Sequence, residues 1–259
     1  MKLIITDLDN TLLKSDKSIS EYTVSIFAEC RLRGHLIAFA TARAEDTLTQ
    51  LKKALKPNII ISNGGAVISV EGKKIHESFV SGKDVSTIIR MCRTFTEGKG
   101  FMTAHCNDGY YCNFEPSDPD RRAAYTYSDF ISFEKAAYKI SAELEDDKWA
   151  KEIARACPDI ALIKYTGEKW LQFAAKDSNK ETALQVLANY IGIDYNDIIA
   201  FGDDINDLGM LKLAGTSVAV SNAIENVKKA ADHITESNDR DGVARFLEKA
   251  IVSSFITKE

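Results

Sequence analysis

The chain has 259 residues, 45% of them apolar and 27% charged, with a formal net charge of −5. This is the composition of an ordinary globular protein, one large domain or two modest ones, without the basic excess of a nucleic-acid binder. No apolar run approaches the ~20 residues that span a bilayer, and the first run meets acids too soon to be a secretory leader.

Leu3 to Thr6 reads as a buried strand of a parallel sheet, and it ends in Asp7 and Asp9. Asn10 turns the chain there, because Asn tolerates left-handed backbone. Ile19 to Gly34 has helical spacing and ends at a Gly suited to a C-cap. His35 to Ala40 is a second buried strand, followed by Thr41-Ala42-Arg43. Glu45 to Leu55 is a helix closed by Pro57. Asn58 to Ser62 is a third strand, leading into Asn63-Gly64-Gly65. Strand–helix–strand–helix–strand order argues a parallel sheet with right-handed crossovers. Ala66 to Val70 and Lys74 to Phe79 form a hairpin around Glu71-Gly72.

After Ser81 the rhythm changes. Asp84 to Glu97 is a helix. Phe101 to Cys106 and Gly109 to Phe114 pair around Asn107-Asp108, a turn signature. Ser117 to Ser128 is polar and without clear periodicity. Tyr138 to Leu144 is a strand, Asp146 to Cys157 a helix stopped by Pro158, and Ile160 to Tyr165 with Trp170 to Ala174 a hairpin around Gly167. Residues 82–176 are therefore predicted to be an α+β domain inserted into a core formed by 1–81 and 177–259. The alternation resumes with a helix at Lys180 to Ile191 and a strand at Asp197 to Phe201, which ends in Gly202-Asp203-Asp204-Ile205-Asn206-Asp207. Leu208 to Ala214 is helical, Ser217 to Val220 a strand, Ile224 to Ala231 a helix, His233 to Thr235 a short strand and Asp241 to Val252 a closing helix.

Strand ends of an open parallel sheet line a crevice, so the acids there are site candidates. Two carboxylates ~4 Å apart repel by ~1 kcal/mol in water and ~4 kcal/mol at an effective dielectric near 20. Asp7 and Asp9 thus call for a proton, a basic partner or a metal ion. The strand-end cluster of Asp7, Asp9, Asp203, Asp204, Asn206 and Asp207 offers oxygen ligands that suit Mg²⁺, and Thr41 and Lys180 suit phosphate. Together they read as a phosphoryl-transfer site with an aspartate nucleophile. Each position also suits a blander role: Thr41 as an N-cap, Lys180 as a solvated first-turn residue, Asp203 to Asp207 as a polar turn. The five cysteines, at 30, 92, 106, 112 and 157, show no C-x-x-C spacing and read as reduced thiols of a cytoplasmic protein with no zinc site. His105 and His233 lack a ligand-spaced partner.

Asp7-Leu8-Asp9-Asn10-Thr11, Thr41, Lys180 and Gly202-Asp203-Asp204-Ile205-Asn206-Asp207, in that order, resemble the haloacid dehalogenase superfamily of Mg²⁺-dependent phosphohydrolases. The last motif, Asn63-Gly64-Gly65 and Val218-Ala219-Val220-Ser221-Asn222-Ala223 resemble its Cof-type branch, whose large α/β cap follows the third core strand. Asn10 and Glu181 stand where that pattern commonly has Gly. The resemblance implies a Rossmann-like α/β core with an inserted α+β cap. It implies that Asp7 is the nucleophile and Asp9 the general acid and base. Asp7, the Asp9 carbonyl and Asp203 would hold Mg²⁺. Thr41, the Ala42 amide, Lys180 and Asn206 would hold the phosphoryl oxygens. Asp207 would orient Lys180 or a metal-bound water, with Asp204 as an adjacent acid. An inserted domain that closes over the site favours small substrates, so the expected substrate is a small phosphorylated metabolite: a sugar or polyol phosphate, or a compact phosphorylated cofactor, ahead of phosphoproteins. Specificity is expected in the inserted segment, where Lys164, Tyr165 and Arg121 are candidates to reach the leaving group. Competing readings are a phospho-accepting receiver, which size and motif order disfavour, a non-catalytic phosphate binder, and a phosphomutase of the same superfamily.

Overall fold

The computed structural model describes residues 1–116, 124–144, 146–164 and 170–253. The chain divides into two compact units, Met1–His76 with Asn179–Glu259, and Glu77–Ser178.

The first unit opens with β1 (Leu3–Thr6), whose four residues are all buried, as an uninterrupted apolar run in a parallel sheet requires. A tight helical turn, Leu8–Leu12, follows, and Asn10 adopts φ 60° within it. Helix α1 (Glu21–Leu32) starts at Ser20, whose hydroxyl accepts the Thr23 amide, and Gly34 sits at φ +79° beyond its end. Then come β2 (Leu36–Ala40), α2 (Thr49–Leu55), β3 (Ile59–Ser62), β4 (Val67–Val70) and β5 (Lys73–Glu77). The single helix predicted over Glu45 to Leu55 is two pieces: a 3₁₀ turn at Glu45–Leu48 precedes α2. There Glu45 receives Lys52 Nζ at 2.8 Å and Ser69 Oγ at 2.6 Å. Helix α2 closes at Lys56 in left-handed geometry, one residue before Pro57.

The second unit comprises α3 (Gly82–Phe95), β6 (Met102–Cys106), β7 (Gly109–Cys112), β8 (Tyr125–Tyr127), β9 (Lys139–Glu143), α4 (Asp147–Ala156), β10 (Ile160–Lys164) and β11 (Trp170–Ala175). Its sheet runs β10-β11-β9-β6-β7-β8. Val85, Ile88, Ile89 and Cys92 of α3 share a core with Ala104, Ile140 and Phe173 of the sheet. Strand β8, within the stretch that showed no periodicity, pairs parallel with β7. His105 is buried and stacked on Tyr110, ring centroids 3.9 Å apart. The unit begins at Glu77, ahead of the expected Gly82; within it Ser78 donates to Asp177 at 2.6 Å and Val80 bridges Ala137. Of the three residues proposed there, Lys164 is the exposed end of β10, and Tyr165 and Arg121 lie outside the described residues.

The first unit resumes with α5 (Lys180–Ile191), β12 (Ile198–Gly202), α6 (Leu208–Leu213), β13 (Thr216–Val220), α7 (Glu225–Ala230), β14 (His233–Thr235) and α8 (Gly242–Leu247). A wider turn, Glu248–Val252, completes the predicted closing helix. Its sheet runs β14-β13-β12-β1-β2-β3-β4-β5. Strands β14 through β3 are parallel, and β4 turns back antiparallel on β3. The chain leaves β1 toward β2 and later returns to β12 on its other side. That reversal is the topological switch point where open α/β sheets place their sites. Among the described residues no helix is long and apolar enough to cross a membrane, and all five cysteines are free and buried.

Candidate active site

Three adjacent strands, β12, β1 and β2, deliver the predicted acids and Thr41. Thr6 is in register with Phe201 and with Phe39, so Asp7, Asp203 and Thr41 follow neighbouring strand ends. The Asp7 amide extends the ladder by one bond, to Phe201 O at 3.1 Å. The turn beyond it is held by the segments that follow β12 and β13. Asn222 Nδ2 donates to Asn10 O at 2.7 Å, and Thr11 Oγ1 donates to Asp203 Oδ1 at 2.7 Å.

Lys180 begins α5 yet is only 5% exposed. Its Nζ donates to Asp7 Oδ1 at 2.5 Å and to Asp207 Oδ1 at 2.6 Å. A cation at a helix N-terminus opposes the helix dipole, so these two carboxylates outweigh that penalty. The approach of α5 depends on Gly65. A Cβ there would lie 2.3 Å from the Asn179 carbonyl oxygen, and its φ of +117° is one that side chains rarely adopt. Asn179 caps α5 by accepting the Thr182 amide at 2.8 Å. Glu181, where the family pattern commonly has Gly, packs against Gly209, which has no room for a Cβ.

Asp207 is 1% exposed and uses both oxygens. Oδ1 takes Lys180, and Oδ2 accepts the amides of Asp203 and Asp204 at 2.9 and 3.1 Å. Gly202 makes space for it, since a Cβ would meet the Asp207 Cβ at 2.5 Å. Asp204 accepts the Ile205 amide, and Asn206 is exposed on the same turn. Thr41 is buried, and its Oγ1 accepts the Arg43 amide at 3.1 Å.

The basic partner that Asp9 calls for is Arg43. Its Nε donates to Asp9 Oδ2 at 2.7 Å and its Nη2 to Oδ1 at 2.6 Å, and Lys17 Nζ reaches Oδ1 at 2.9 Å. Burial works to raise the Asp9 carboxyl, but these two cations hold it below the ordinary range. Asp7 goes the other way: burial first, then the neighbouring Asp207 and Asp203, push it up to about 7 against the pull of Lys180. Asp203 is pushed up to about 6, again chiefly by burial. Lys180 is raised, because Asp207 and Asp7 outweigh its own burial.

Carboxylate oxygens of Asp7, Asp203 and Asp207 all lie within 4.8 Å of one another. One ammonium faces this triad, so negative charge is in excess, and the donors are all hard oxygens. Such a set fits a Mg²⁺ ion. Asp7 and Asp203 are the better placed to hold it, since Asp207 is already committed to Lys180 and two amides.

Arg43, Lys17, Thr11 and Asn222 carried no role in the sequence reading. Arg43 stands two residues past Thr41 and Thr11 inside the first motif, so both were visible as positions. Their partners were not.

A parallel sheet whose switch point gathers buried acids, a lysine and a threonine defines an α/β enzyme built around charged oxygen chemistry. A family profile described as haloacid dehalogenase-like hydrolase matches residues 4–247, and the chain belongs to this family, in its Cof-type branch. It is therefore a hydrolase. Among curated relatives, the 5-amino-6-(5-phospho-D-ribitylamino)uracil phosphatases YitU and YcsE of Bacillus subtilis are 28% and 26% identical. The alignments cover 95% of this chain in each case, and 96% and 94% of those proteins. Among solved structures, a haloacid dehalogenase-like hydrolase from Bacteroides thetaiotaomicron is 28% identical, with a TM-score of 0.83 over 96% of this chain and 98% of that one.

Proposed function

We propose that this hydrolase is a Mg²⁺-dependent phosphatase of small phosphate monoesters, working through an aspartyl phosphate on Asp7. The observation that carries the reading is Asp7 itself: a buried strand-end carboxylate, 2.5 Å from Lys180 and grouped with Asp203 and Asp207. Asp9 first takes a proton from solvent; Asp7 then attacks phosphorus, the ester P–O bond breaks, and Asp9 passes that proton to the leaving oxygen. Water then attacks the phosphoryl group, Asp9 takes its proton, and the bond between phosphorus and Asp7 breaks to release phosphate. Thr41, the Ala42 amide, Lys180 and Asn206 hold the phosphoryl oxygens, and Asp207 orients Lys180. Asp7, the Asp9 carbonyl and Asp203 would hold Mg²⁺, which would supply neutralisation of the charge on the phosphoryl oxygens.

The groups on the first unit meet only features that all phosphate monoesters share. The unit Glu77–Ser178 is therefore the part proposed to tell leaving groups apart, as an inserted cap. The names of the two Bacillus subtilis relatives support a polyol phosphate as the substrate class, ahead of phosphoproteins. Five free, buried cysteines suit a cytoplasmic setting.

The test is a panel of sugar, polyol and cofactor phosphates assayed for phosphate release, with Mg²⁺ and with a chelator. Release from small esters that stops with chelator and returns with Mg²⁺ is expected. Silence across the panel sinks the phosphatase reading, and full activity in chelator sinks the metal assignment.

A further inference from the structure

We infer that Arg43, assisted by Lys17, is the positioning residue that leaves a single oxygen of Asp9, Oδ2, free to move a proton. The inference rests on the phosphatase reading and names how its acid–base group is held.

A carboxylate offers about four lone-pair sites on its two oxygens. On Asp9, Oδ1 receives Arg43 Nη2 at 2.6 Å and Lys17 Nζ at 2.9 Å, while among the described residues Oδ2 receives only Arg43 Nε, at 2.7 Å. Oδ1 is thus filled, and one site remains, on Oδ2. A proton placed there leaves the fork in place, because Oδ2 keeps a lone pair for Nε. The same atom can therefore give a proton to the leaving oxygen and take one from water without any rearrangement of the pair.

The fork is itself anchored on the site. The Arg43 amide donates to Thr41 Oγ1 at 3.1 Å, and the Arg43 carbonyl accepts the Asn63 amide at 2.8 Å. Arg43 thereby ties the Asp9 carboxylate to the ends of β2 and β3, and so to the loop proposed to hold the phosphoryl group. A bidentate guanidinium fixes the carboxylate plane as well as its charge, which an ammonium does not. Lys17 approaches from a turn closed by its own amide on Lys14 O at 2.8 Å, with φ +67°. Its side chain is 51% exposed, against 30% for Arg43, so the larger share of the positioning falls to Arg43.

The experiment measures kcat/KM with Mg²⁺ for two esters. One is p-nitrophenyl phosphate, whose leaving phenolate needs little protonation. The other is the best alkyl phosphate of the metabolite panel, whose alkoxide needs a proton. Arg43→Gln is expected to lose about tenfold more on the alkyl ester than on the aryl ester, and Asp9→Asn to show the same skew. Adding Arg43→Gln to Asp9→Asn should cost the alkyl ester nothing further, because Arg43 acts through a group already removed. Arg43→Lys, which keeps the charge and loses the fork, should keep the skew. Equal losses on the two esters, or multiplying losses in the double variant, overturn the inference. Where Arg43→Gln fails to fold by circular dichroism, Lys17→Gln carries the test: a weaker skew of the same sign supports the inference and its absence overturns it. A wild-type enzyme that hydrolyses neither ester overturns the phosphatase reading instead.

Discussion

Lys180 meets Asp7 across 173 residues of chain, Nζ to Oδ1 in 2.5 Å. The contact joins the first residue of α5 to the residue that ends β1, and the same ammonium also holds Asp207. A buried cation between two buried carboxylates is not by itself a source of stability, since desolvation offsets the attraction. Removing the ammonium, however, leaves two buried carboxylate oxygens, on Asp7 and Asp207, without their cation. The pair is thus a fixed feature of the fold as well as a candidate phosphate contact.

Lys180→Met is accordingly expected to destabilise the metal-free protein by about 3 kcal/mol or more, the scale for breaking a buried pair. Urea unfolding in the presence of chelator measures it. An unchanged midpoint would show that Asp7 and Asp207 do not depend on the ammonium.

Asp7→Asn should abolish turnover and leave the fold standing. The amide is a poor nucleophile and a weaker Mg²⁺ ligand, while Lys180 still has Asp207. Phosphate release within about tenfold of wild type would remove Asp7 as the nucleophile.

The raised carboxyls predict a pH-dependent response to Mg²⁺. With folded values of about 7 for Asp7 and about 6 for Asp203, against ~3.9 for a free Asp, the folded protein holds more protons than the unfolded chain between those limits. Their contribution to metal-free stability is therefore full at low pH and is lost as pH rises through about 6 to 7. Mg²⁺ takes the ionised form, so the rise in Tm that it produces should be larger at pH 8 than at pH 5. Scanning calorimetry with and without Mg²⁺ reads this, and Asp203→Asn should flatten the difference. The same Mg²⁺ increment at both pH values would count against the acid cluster as the ion's seat.

Gly65→Ala tests the close approach behind Lys180. The added methyl would sit 2.3 Å from the Asn179 carbonyl at a φ of +117°, so α5 must shift. A displacement of about 1 Å at a reacting group costs up to ~100-fold in rate, and a loss of tenfold or more in turnover is expected. Gly192→Ala is the control: its φ is +67° but nothing lies within 4 Å of the new Cβ. That variant should lose some stability, about 1 kcal/mol, and keep its kinetics. Equal kinetic losses in the two variants would detach Gly65 from the site.

Much of the first unit was legible because its determinants are local. Strands β1, β2, β3 and β12 are uninterrupted apolar runs, which a sheet covered on both faces demands. Asn10 was read as a left-handed turn residue and stands at φ 60°. Helix α5 was found to the residue, since its cap Asn179 and terminal Gly192 bound it. Helix α2 was overextended because Glu45 is drawn to Ser69 and Lys52, and no periodicity encodes that pull. Strand β8 was missed because its only described strand neighbour is β7, so it shows no alternation that a buried strand would impose.

The sequence by itself determined which groups stand at strand ends, because an apolar strand of a parallel sheet can change to polar residues only where it leaves the sheet. It thereby determined the acids, Thr41 and the family resemblance. Tertiary structure decided who partners whom. Arg43 claims Asp9 over 34 residues, Thr11 claims Asp203 over 192, and Asn222 holds Asn10 over 212. These pairings follow from the order β12-β1-β2, with α5 starting beside Gly65. Spacing along a chain carries no record of which strands lie side by side, and a charge finds its partner only once the sheet has brought the two together.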